Sequence, residues 1–352
     1  MANPENAGAE TVVLALPSKG SLEEGTLSFL AACGLRVSKI NPRQYEARMP
    51  AIPQLRVLFQ RAEDIVIQVA QGTVDLGITG LDLVAEGAHR GDQTLVIHDA
   101  LGYGGCDLVL AVPEGWLDVE SVADLSDMAL DFRQTHGRDL LVATKFAHLT
   151  RAFLYENEIS HFSIVAAHGA IEAAPALGYA DLVIDLTATR TTLRENRLKE
   201  INGGTVLHSE ACLIGNERAL LSRPAVQEVA RRMVEKMEAT LTGRRFFTLI
   251  SDLPGLSAEA VVKRLRLPAD SEGPVVQGVA ELPTLATGEP RWSVTLLCPE
   301  AHLTQAVDLL RSAGSGRVVA TPVQYFFAPE PRACASLLAR LRRARQGRAL
   351  AP

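Results

Sequence analysis

Residues Ala180 to Leu198 read ADLVIDLTATRTTLRENRL, and this stretch decides how the rest of the chain is interpreted. The apolar run 182–184 predicts a buried strand that ends at Asp185. Four threonines follow, and the segment 193–196 has helix-forming character. A strand, a hydroxyl-rich turn and a helix start together predict an anion site, because the first backbone N–H groups of a helix lack partners and carry partial positive charge.

The same pattern has a purely structural interpretation. Thr191 or Thr192 could simply cap a helix while Asp185 ends a strand, and caps of that kind are common. The local pattern alone leaves both interpretations open.

Composition indicates an ordinary globular chain of 352 residues, of which 47% are hydrophobic and 22% charged. A net charge of -6 excludes a global attraction to nucleic acid or to an anionic membrane, so phosphates would have to be held by local positive charge. Five scattered cysteines, with no signal peptide or long apolar run, predict a reduced cytoplasmic protein without a membrane anchor. The histidine spacing predicts no zinc site.

Several motifs resemble, in order, those of ATP phosphoribosyltransferases, the first enzymes of histidine biosynthesis. The opening stretch resembles the family's phosphoribosyl-diphosphate loop, in which Asp-Leu precedes Ser-Thr-Gly-x-Thr-Leu, although Arg190 stands where the family has its loop glycine. Three further segments match: RAEDIVIQVAQGTVDLGITGLDLV (61–84), LVATKFAHLTRAFL (141–154) and HGAIEAAPALGYAD (168–181). The resemblance spans about Thr11 to Phe327.

Two basic residues follow predicted strands in the first part of the chain. Lys19 comes after the apolar run TVVLAL (11–16), and Arg61 comes after LRVLF (55–59). Lys19 could be an exposed turn lysine, and Arg61 could pair with an acidic neighbour, Glu63 or Asp64. Both, however, stand at the carboxyl end of a strand, where open α/β sheets bind ligands. In the family the first turn contacts phosphate, and Ser21 occupies the usual arginine position.

The order of predicted elements indicates an α/β fold with two lobes around a central cleft, similar to periplasmic binding proteins. Residues 1–105 and 204–243 are expected to form lobe I, and 106–203 lobe II. Within them, 132–139 is expected to be a loop and 205–214 a single strand that returns to the first sheet. Residues 244–330 follow a βαββαβ order, which predicts a ferredoxin-like domain; this part resembles the family's regulatory domain. Residues 331–352 form a basic tail.

The resemblance implies a set of site residues. Arg61 and Lys19 would be catalytic, and Asp185 with Glu172 would be weak ligands of Mg²⁺, held mostly through the substrate. Glu172 could otherwise cap its own helix. Substrate binding is implied for Gly20, Gly80, Glu172, Asp185, Thr187, Ala188, Thr189, Arg190, Thr191 and Thr192, and effector binding, weakly, for Ser315 and Gly316.

The implied reaction transfers the phosphoribosyl group of phosphoribosyl diphosphate to N1 of ATP, with Mg²⁺ as cofactor and histidine as inhibitor. A homo-oligomer, from dimer to hexamer, is implied, with no nucleic-acid or membrane partner. The alternative is a catalytically silent ligand-binding or regulatory paralogue, which the departures at Ser21 and Arg190 favour. The intact Glu172, Asp185 and loop threonines favour the enzyme.

Overall fold

The computed structural model describes residues 10–39, 41, 44–87, 93–167, 169–265, 273–282, 290–329, 333, 335–337 and 339–341. Residues 342–352 of the expected basic tail lie outside this set. Among the described residues, no helix has the length and apolarity needed to cross a membrane.

Strands and helices alternate along the chain. Up to residue 243 they are β1 (Val12–Pro17), α1 (Gly20–Ala32), β2 (Glu46–Arg48), β3 (Leu55–Gln60), α2 (Ala62–Gln71), β4 (Leu76–Gly80), α3 (Leu81–Gly87), β5 (Thr94–His98), β6 (Cys106–Pro113), α4 (Val122–His136), β7 (Leu140–Thr144), α5 (Ala147–Glu156), β8 (Phe162–Ala166), β9 (Leu182–Thr187), α6 (Thr191–Glu195), β10 (Leu198–Ser209), β11 (Ala211–Asn216), α7 (Glu217–Ser222) and α8 (Pro224–Gly243). They continue as β12 (Phe246–Pro254), α9 (Ala258–Leu265), β13 (Val275–Glu281), β14 (Arg291–Pro299), α10 (Leu303–Ser312) and β15 (Val318–Pro322).

The described residues divide into two compact units. The first holds the residues up to Ala31, the segment Leu35–Ala230 and the residues from Arg340 on, and the second holds Ala32–Gly34 and Arg231–Ala339. The first unit contains two sheets and the second contains one.

The first sheet has the strand order β2-β3-β1-β4-β11-β5. β1 lies parallel to both β3 and β4, so the carboxyl ends of these three strands meet at one edge. β4 is wholly buried, and a Cβ on Gly77 would meet Ile65 of α2, so glycine allows this helix to pack closely on the sheet. Lys19, Arg61 and Gly80 therefore all stand at the same sheet edge.

The second sheet has the order β10-β6-β9-β7-β8. β7 is parallel to β8 and β9, and their carboxyl ends form a second edge. β9 continues to Thr187, so Asp185 lies within the strand and does not end it as expected. Lys145 follows β7 directly at this edge.

The chain crosses between the two sheets twice, and the two crossings lie side by side. β10 ends at Ser209 and β11 begins at Ala211, with one residue, Glu210, between them. The other crossing connects β5 to β6, where the backbone N–H of Leu101 donates to Ala211 O at 2.9 Å and that of Ala211 donates to Tyr103 O at 3.0 Å. The single strand expected over 205–214 is thus two strands in different sheets.

The prediction of a loop over 132–139 is also wrong for the first five of these residues, because α4 continues to His136. Its start is fixed by a capping box, in which Ser121 and Asp124 each accept from the other's backbone N–H. Phe132 and His136 stack one turn apart with ring centroids 4.1 Å apart, which favours helix over loop.

The second unit contains the predicted ferredoxin-like domain. Its sheet has the order β13-β14-β12-β15, antiparallel throughout, and the elements follow in the expected βαββαβ sequence. Buried residues of α9 and α10, including Val261 and Leu310, form one core with Leu249, Leu253 and Leu296 of the strands. The fold class expected from the sequence is confirmed.

Candidate active site

A cavity of about 500 Å³ opens between the carboxyl ends of the two sheets in the first unit. Residues of the first sheet edge and of the second line it together; they include Arg61, Glu63, Lys145, Gly169, Asp185 and Leu186. Open α/β sheets bind ligands at such edges. The fold therefore brings Arg61 and Asp185, which are 124 positions apart in the sequence, to one cavity.

Arg61 stands directly before α2, with extended backbone angles. Within the described part of the chain it has no ion-pair partner. The alternative pairing with Glu63 or Asp64 is not found, because Glu63 is bonded to Lys145 instead, with Nζ and Oε1 2.7 Å apart. An exposed guanidinium at a cavity wall is available to an anionic ligand.

Lys145 is a functional candidate that sequence reasoning missed. It lies between β7 and α5, and its ammonium ion, by hydrogen bonding and charge, lowers the pKa of Glu63. Lys19 also acts to lower this pKa, so it too lies close to Glu63 in space. Lys145 comes immediately after a strand, and this is the criterion that selected Lys19 and Arg61. The same criterion could have identified Lys145 from the sequence. Two lysines thus act on the Glu63 carboxylate, and Arg61 lines the same cavity as Lys145.

Asp185 is half-buried, and burial raises the pKa of its carboxyl group, with the negative charge of Glu172 adding to the effect. The N–H of Leu186, which donates to Asp185 Oδ1 at 2.8 Å, and the charge of Lys145 oppose this rise. Glu172 lies in the short 3-10 helix Ile171–Ala173. Two carboxylates close enough to influence each other form an arrangement in which a cation or sugar hydroxyls can be bound.

The loop after β9 is held by its own side chains. The hydroxyl of the buried Thr187 accepts from the backbone N–H of Arg190 at 2.8 Å, and Thr189 donates to Thr191 at 3.1 Å. α6 spans only five residues, and neither Thr191 nor Thr192 caps it; its N-cap is Arg190, with no side-chain cap bond.

Arg190 has left-handed backbone angles, φ 59° and ψ 8°, which glycine adopts easily and arginine rarely. Its guanidinium does not turn toward Asp185 or Glu172. Nε donates to Glu200 Oε2 at 2.6 Å, and Nη2 lies 3.5 Å from Asp107 Oδ2. An arginine thus occupies the glycine position of the loop with a glycine-like backbone.

Four further predicted residues, Gly20, Gly80, Ser315 and Gly316, are not among the described lining residues of either cavity. Gly80 is buried, and a Cβ there would collide with the carboxylate of Asp82, which indicates a packing role. Gly20 is exposed with φ 73° at the start of α1, a backbone conformation that favours glycine. In the second unit, Ser315 bonds Ser251 through their hydroxyls at 2.6 Å, beside the exposed Gly316.

Thr187 and Ala188 line a second cavity, of about 360 Å³.

The two sheet edges are also bridged near α5, where the carboxylate of Glu86 accepts from the backbone N–H groups of His148 and Leu149 at 3.0 Å each. These bonds occupy two of the unpaired donors at the start of that helix.

A family model described as ATP phosphoribosyltransferase matches residues 61–239, which include Arg61, Lys145 and the whole loop after β9. The chain belongs to the ATP phosphoribosyltransferase family. The resemblance predicted from the sequence is confirmed, and so is the activity it implies: the family transfers a phosphoribosyl group to ATP in the first step of histidine biosynthesis.

Two relatives in the family show how far the match extends. ATP phosphoribosyltransferase 2, chloroplastic, of Arabidopsis thaliana is 37% identical over 339 residues, which cover 95% of this chain and 81% of the relative. ATP phosphoribosyltransferase of Brucella suis is 45% identical over 230 residues, which cover 65% of this chain and 99% of the relative. The Brucella protein thus matches about two thirds of the chain.

Among solved structures, the ATP phosphoribosyl transferase (HisG:HisZ) complex from Thermotoga maritima matches with a TM-score of 0.50 and 22% identity. The match covers 65% of this chain and 99% of that one. At this identity the likeness supports the fold alone.

Proposed function

We propose that the cavity between the two sheet edges binds phosphoribosyl diphosphate for transfer to N1 of ATP. One observation carries the proposal: Arg61 and Asp185, the cation and the carboxylate that the family resemblance singles out, line the same cavity. Lys145 and Lys19 add positive charge beside Glu63. A diphosphate needs such concentrated charge in a chain whose net charge is -6.

In this proposal catalysis consists of alignment and charge neutralisation. N1 of the adenine attacks C1′ of the ribose, and the bond from C1′ to the diphosphate oxygen breaks with its electron pair leaving on the diphosphate. Arg61 and Lys145 stabilise the charge that grows on the leaving group, and no covalent enzyme intermediate is required. Glu63 occupies one of the three N–H donors of Lys145, with Nζ 2.7 Å from Oε1, so the ammonium ion shares its charge between this carboxylate and the ligand.

The loop after β9 is proposed to hold the 5-phosphate. Thr189, Thr191 and Thr192 are exposed and offer hydroxyl groups, and Ala188 offers its backbone N–H. A helix of five residues adds only a small dipole, so the hydroxyls and loop amides have to supply most of the binding.

Arg190 is proposed to add charge to the same phosphate. Because Nε and Nη2 already face Glu200 and Asp107, the guanidinium would use its remaining edge. Its contribution is then a single contact with the phosphate, weaker than a bidentate pair.

Asp185 and Glu172 are proposed to bind the ribose hydroxyls and, through them, Mg²⁺. The donor set fits, because the charge of Glu172 already raises the pKa of Asp185 and a cation would relieve that repulsion. In the described part of the chain no cluster of three or more His, Cys, Asp or Glu could hold a metal ion. Substrate oxygens would therefore supply the other ligands of the ion, which when bound would neutralise diphosphate charge.

The ferredoxin-like domain, 244–330, is proposed to bind histidine near Ser315 and Gly316 and to inhibit the enzyme. The support is the family resemblance and the exposed turn at Gly316, where a Cβ would meet nothing. We further propose the lobe limits given above, a cytoplasmic location and a homo-oligomer of two to six chains. Light scattering would give the number of chains.

One assay tests the activity directly. Diphosphate release is measured with phosphoribosyl diphosphate and ATP together, and with each omitted in turn. We expect release only when both are present. Release without ATP would indicate hydrolysis, and no release at all would favour the catalytically silent paralogue.

A further inference from the structure

Helix α5 begins without a cap from its own segment. Its N-cap residue is Phe146, whose side chain cannot accept a hydrogen bond, and its first turn contains no acidic residue. The first backbone N–H groups of a helix have no partner within the helix, and a short polar side chain at the N-cap usually accepts from the second or the third of them. The N-cap of α5 supplies no such acceptor.

Glu86 supplies the acceptor from 62 positions earlier in the chain. Its carboxylate oxygens accept from the backbone N–H of His148 at 3.0 and 3.2 Å, and one of them also accepts from that of Leu149 at 3.0 Å. His148 and Leu149 are the second and third residues of α5, so Glu86 makes the bonds that an N-cap side chain would make. The partial positive charge at a helix start also favours a carboxylate there.

The position of Glu86 in its own helix has the opposite effect. Glu86 is the last residue but one of α3, which has no basic residue in its last turn. The end of a helix carries partial negative charge, so a carboxylate there is unfavourable. The charge of Glu86 therefore stabilises the start of α5 and not the helix to which Glu86 belongs.

α3 is bonded to the second sheet's elements at both ends. It follows β4 of the first sheet, and Val84 belongs to the core beside that sheet. At its start, the hydroxyl of Ser209 on β10 accepts from the N–H of Asp82 at 2.9 Å and donates to Asp82 Oδ1 at 2.8 Å. At its end, Glu86 bonds α5, and between the two ends Leu83 packs against the cores of both sheets. α3 thus fixes the start of α5 relative to the first sheet.

The turn before α5 contains Lys145. The hydroxyl of Thr144 accepts from the N–H of Phe146 at 3.0 Å and from the hydroxyl of Thr150 at 3.3 Å, so this turn is bonded to the helix. Phe146 is buried, which fixes the turn further. A shift of α5 would therefore move Lys145, and with it the ammonium ion that lies 2.7 Å from Glu63 at the first cavity.

We propose that Glu86 is a positioning residue for the transfer: by capping α5 from the first sheet, it holds Lys145 where phosphoribosyl diphosphate binds. This inference rests on the proposed function, which assigns the first cavity to the diphosphate and Lys145 to its charge. Glu86 is not among the described lining residues of either cavity. It acts through the helix and does not contact the substrate.

The sign of the effect separates positioning from simple electrostatics. If only charge mattered, removal of a carboxylate near a cavity that binds a polyanion would strengthen binding. Loss of the cap should weaken binding, because α5 and Lys145 would then hold the competent arrangement only part of the time, and the apparent affinity falls by that fraction. Glu86→Ala should therefore raise the dissociation constant of phosphoribosyl diphosphate about 3- to 30-fold, the range expected for a lost cap.

A double-substitution cycle tests whether the effect passes through Lys145. Calorimetry gives the dissociation constant of phosphoribosyl diphosphate for the native chain, Glu86→Ala, Lys145→Met and the variant with both changes. We expect Glu86→Ala to weaken binding in the native background and to have at most about a 2-fold effect in the Lys145→Met background. Stronger binding by Glu86→Ala, no change, or an equal loss in both backgrounds would overturn the proposal.

Two further variants sharpen the result. Glu86→Gln keeps an oxygen that can accept from the same N–H groups and should weaken binding less than Glu86→Ala; an equal loss would contradict the cap. Glu156→Ala, an exposed residue at the opposite end of α5, is the matched control and should leave the constant unchanged. Thermal unfolding shows whether each variant is folded at the temperature of the titration, and Glu86→Gln replaces Glu86→Ala in the cycle if the latter is not.

The proposal can fail independently of the activity. If diphosphate release requires both substrates but the cycle shows no coupling, the enzyme stands and the role of Glu86 is wrong. If the native chain binds phosphoribosyl diphosphate with the expected coupling but releases no diphosphate, the role of Glu86 stands and the proposed function fails. If the native chain does not bind phosphoribosyl diphosphate, both are overturned.

Discussion

Nε of Arg190 lies 2.6 Å from Glu200 Oε2, and this ion pair links the loop after β9 to strand β10. Glu200 is further oriented by the hydroxyl of Thr205, which donates to Oε1 at 3.3 Å. The pair fixes an arginine side chain whose backbone is left-handed, φ 59°. Side-chain contacts therefore compensate for the absence of a glycine in the loop.

Arg190→Gly should weaken the binding of phosphoribosyl diphosphate several-fold while the melting temperature changes little, because relief of the backbone strain offsets the lost ion pair. Glu200→Gln should weaken binding similarly, since the loop loses its anchor. Calorimetry and thermal unfolding give the two quantities. A gain of activity in Arg190→Gly would show that the arginine obstructs the site.

Arg61→Ala should lower kcat by about 100-fold with a smaller change in KM, because a charge that acts on the leaving group contributes mainly in the transition state. Arg56→Ala is the matched control, since this exposed arginine lies on β3, the strand that ends just before Arg61, is 3.8 Å from Glu46 and is not among the described lining residues of either cavity. A change in KM alone would assign Arg61 to ground-state binding.

Glu63→Gln should lower the KM for phosphoribosyl diphosphate about 2- to 5-fold, because the charge of Lys145 is no longer shared with a neighbouring carboxylate. Lys145→Met should raise the same KM and lower kcat. Asp64→Asn, on the next residue of α2, serves as the control for a lost negative charge. If Glu63→Gln raised the KM, the carboxylate would have a role in holding the substrate.

Asp185→Asn should raise the melting temperature at about pH 8 by about 1–3 °C while it abolishes most activity. Because burial raises the pKa of Asp185 in the folded chain, the charged form destabilises the fold, and this effect is fully present above the folded pKa. It fades as the pH falls toward the unfolded value near 4, so the two melting temperatures should converge at acidic pH. A constant difference across this range would contradict the assignment.

Ser315→Ala should raise the histidine concentration needed for half-inhibition about 5-fold or more, if the second unit binds the effector. Ser312→Ala is the control, because its hydroxyl donates to Asp308 O on the same helix. Initial rates at fixed substrate give both values. Equal inhibition of both variants and the native chain would remove Ser315 from the effector site.

The sequence predicted the elements and the family, because apolar periodicity and turn residues act locally. The prediction from the sequence failed where the structure is determined by a contact between residues that are far apart in the sequence. The run 205–214 looks like one strand, since nothing local reveals that β10 pairs with β6 and β11 with β4. For the same reason Lys145 was missed as a candidate: its partner, Glu63, is far away in the sequence.

Arg190 shows a different limit. A side chain at a glycine position predicts either a blocked site or a changed loop, yet the backbone keeps its left-handed angles. The reason lies in Glu200 and Asp107, two carboxylates on separate strands that only the folded sheet brings to the guanidinium. Local propensity cannot anticipate such compensation.

The paired crossings at Glu210 and Tyr103 have a mechanical consequence. Two chain segments joined by backbone hydrogen bonds, with a single residue between β10 and β11, leave few dihedral angles free to absorb a rotation of one sheet relative to the other. Any such rotation would be a small-angle bend about this paired connection, and the gap between Arg61 and Asp185 would change more than the surroundings of Glu210. Glu210 itself, whose carboxylate accepts from Gly102 N at 2.7 Å, would act as the pivot. The second cavity, which includes the pivot, would keep its shape while the first opens and closes.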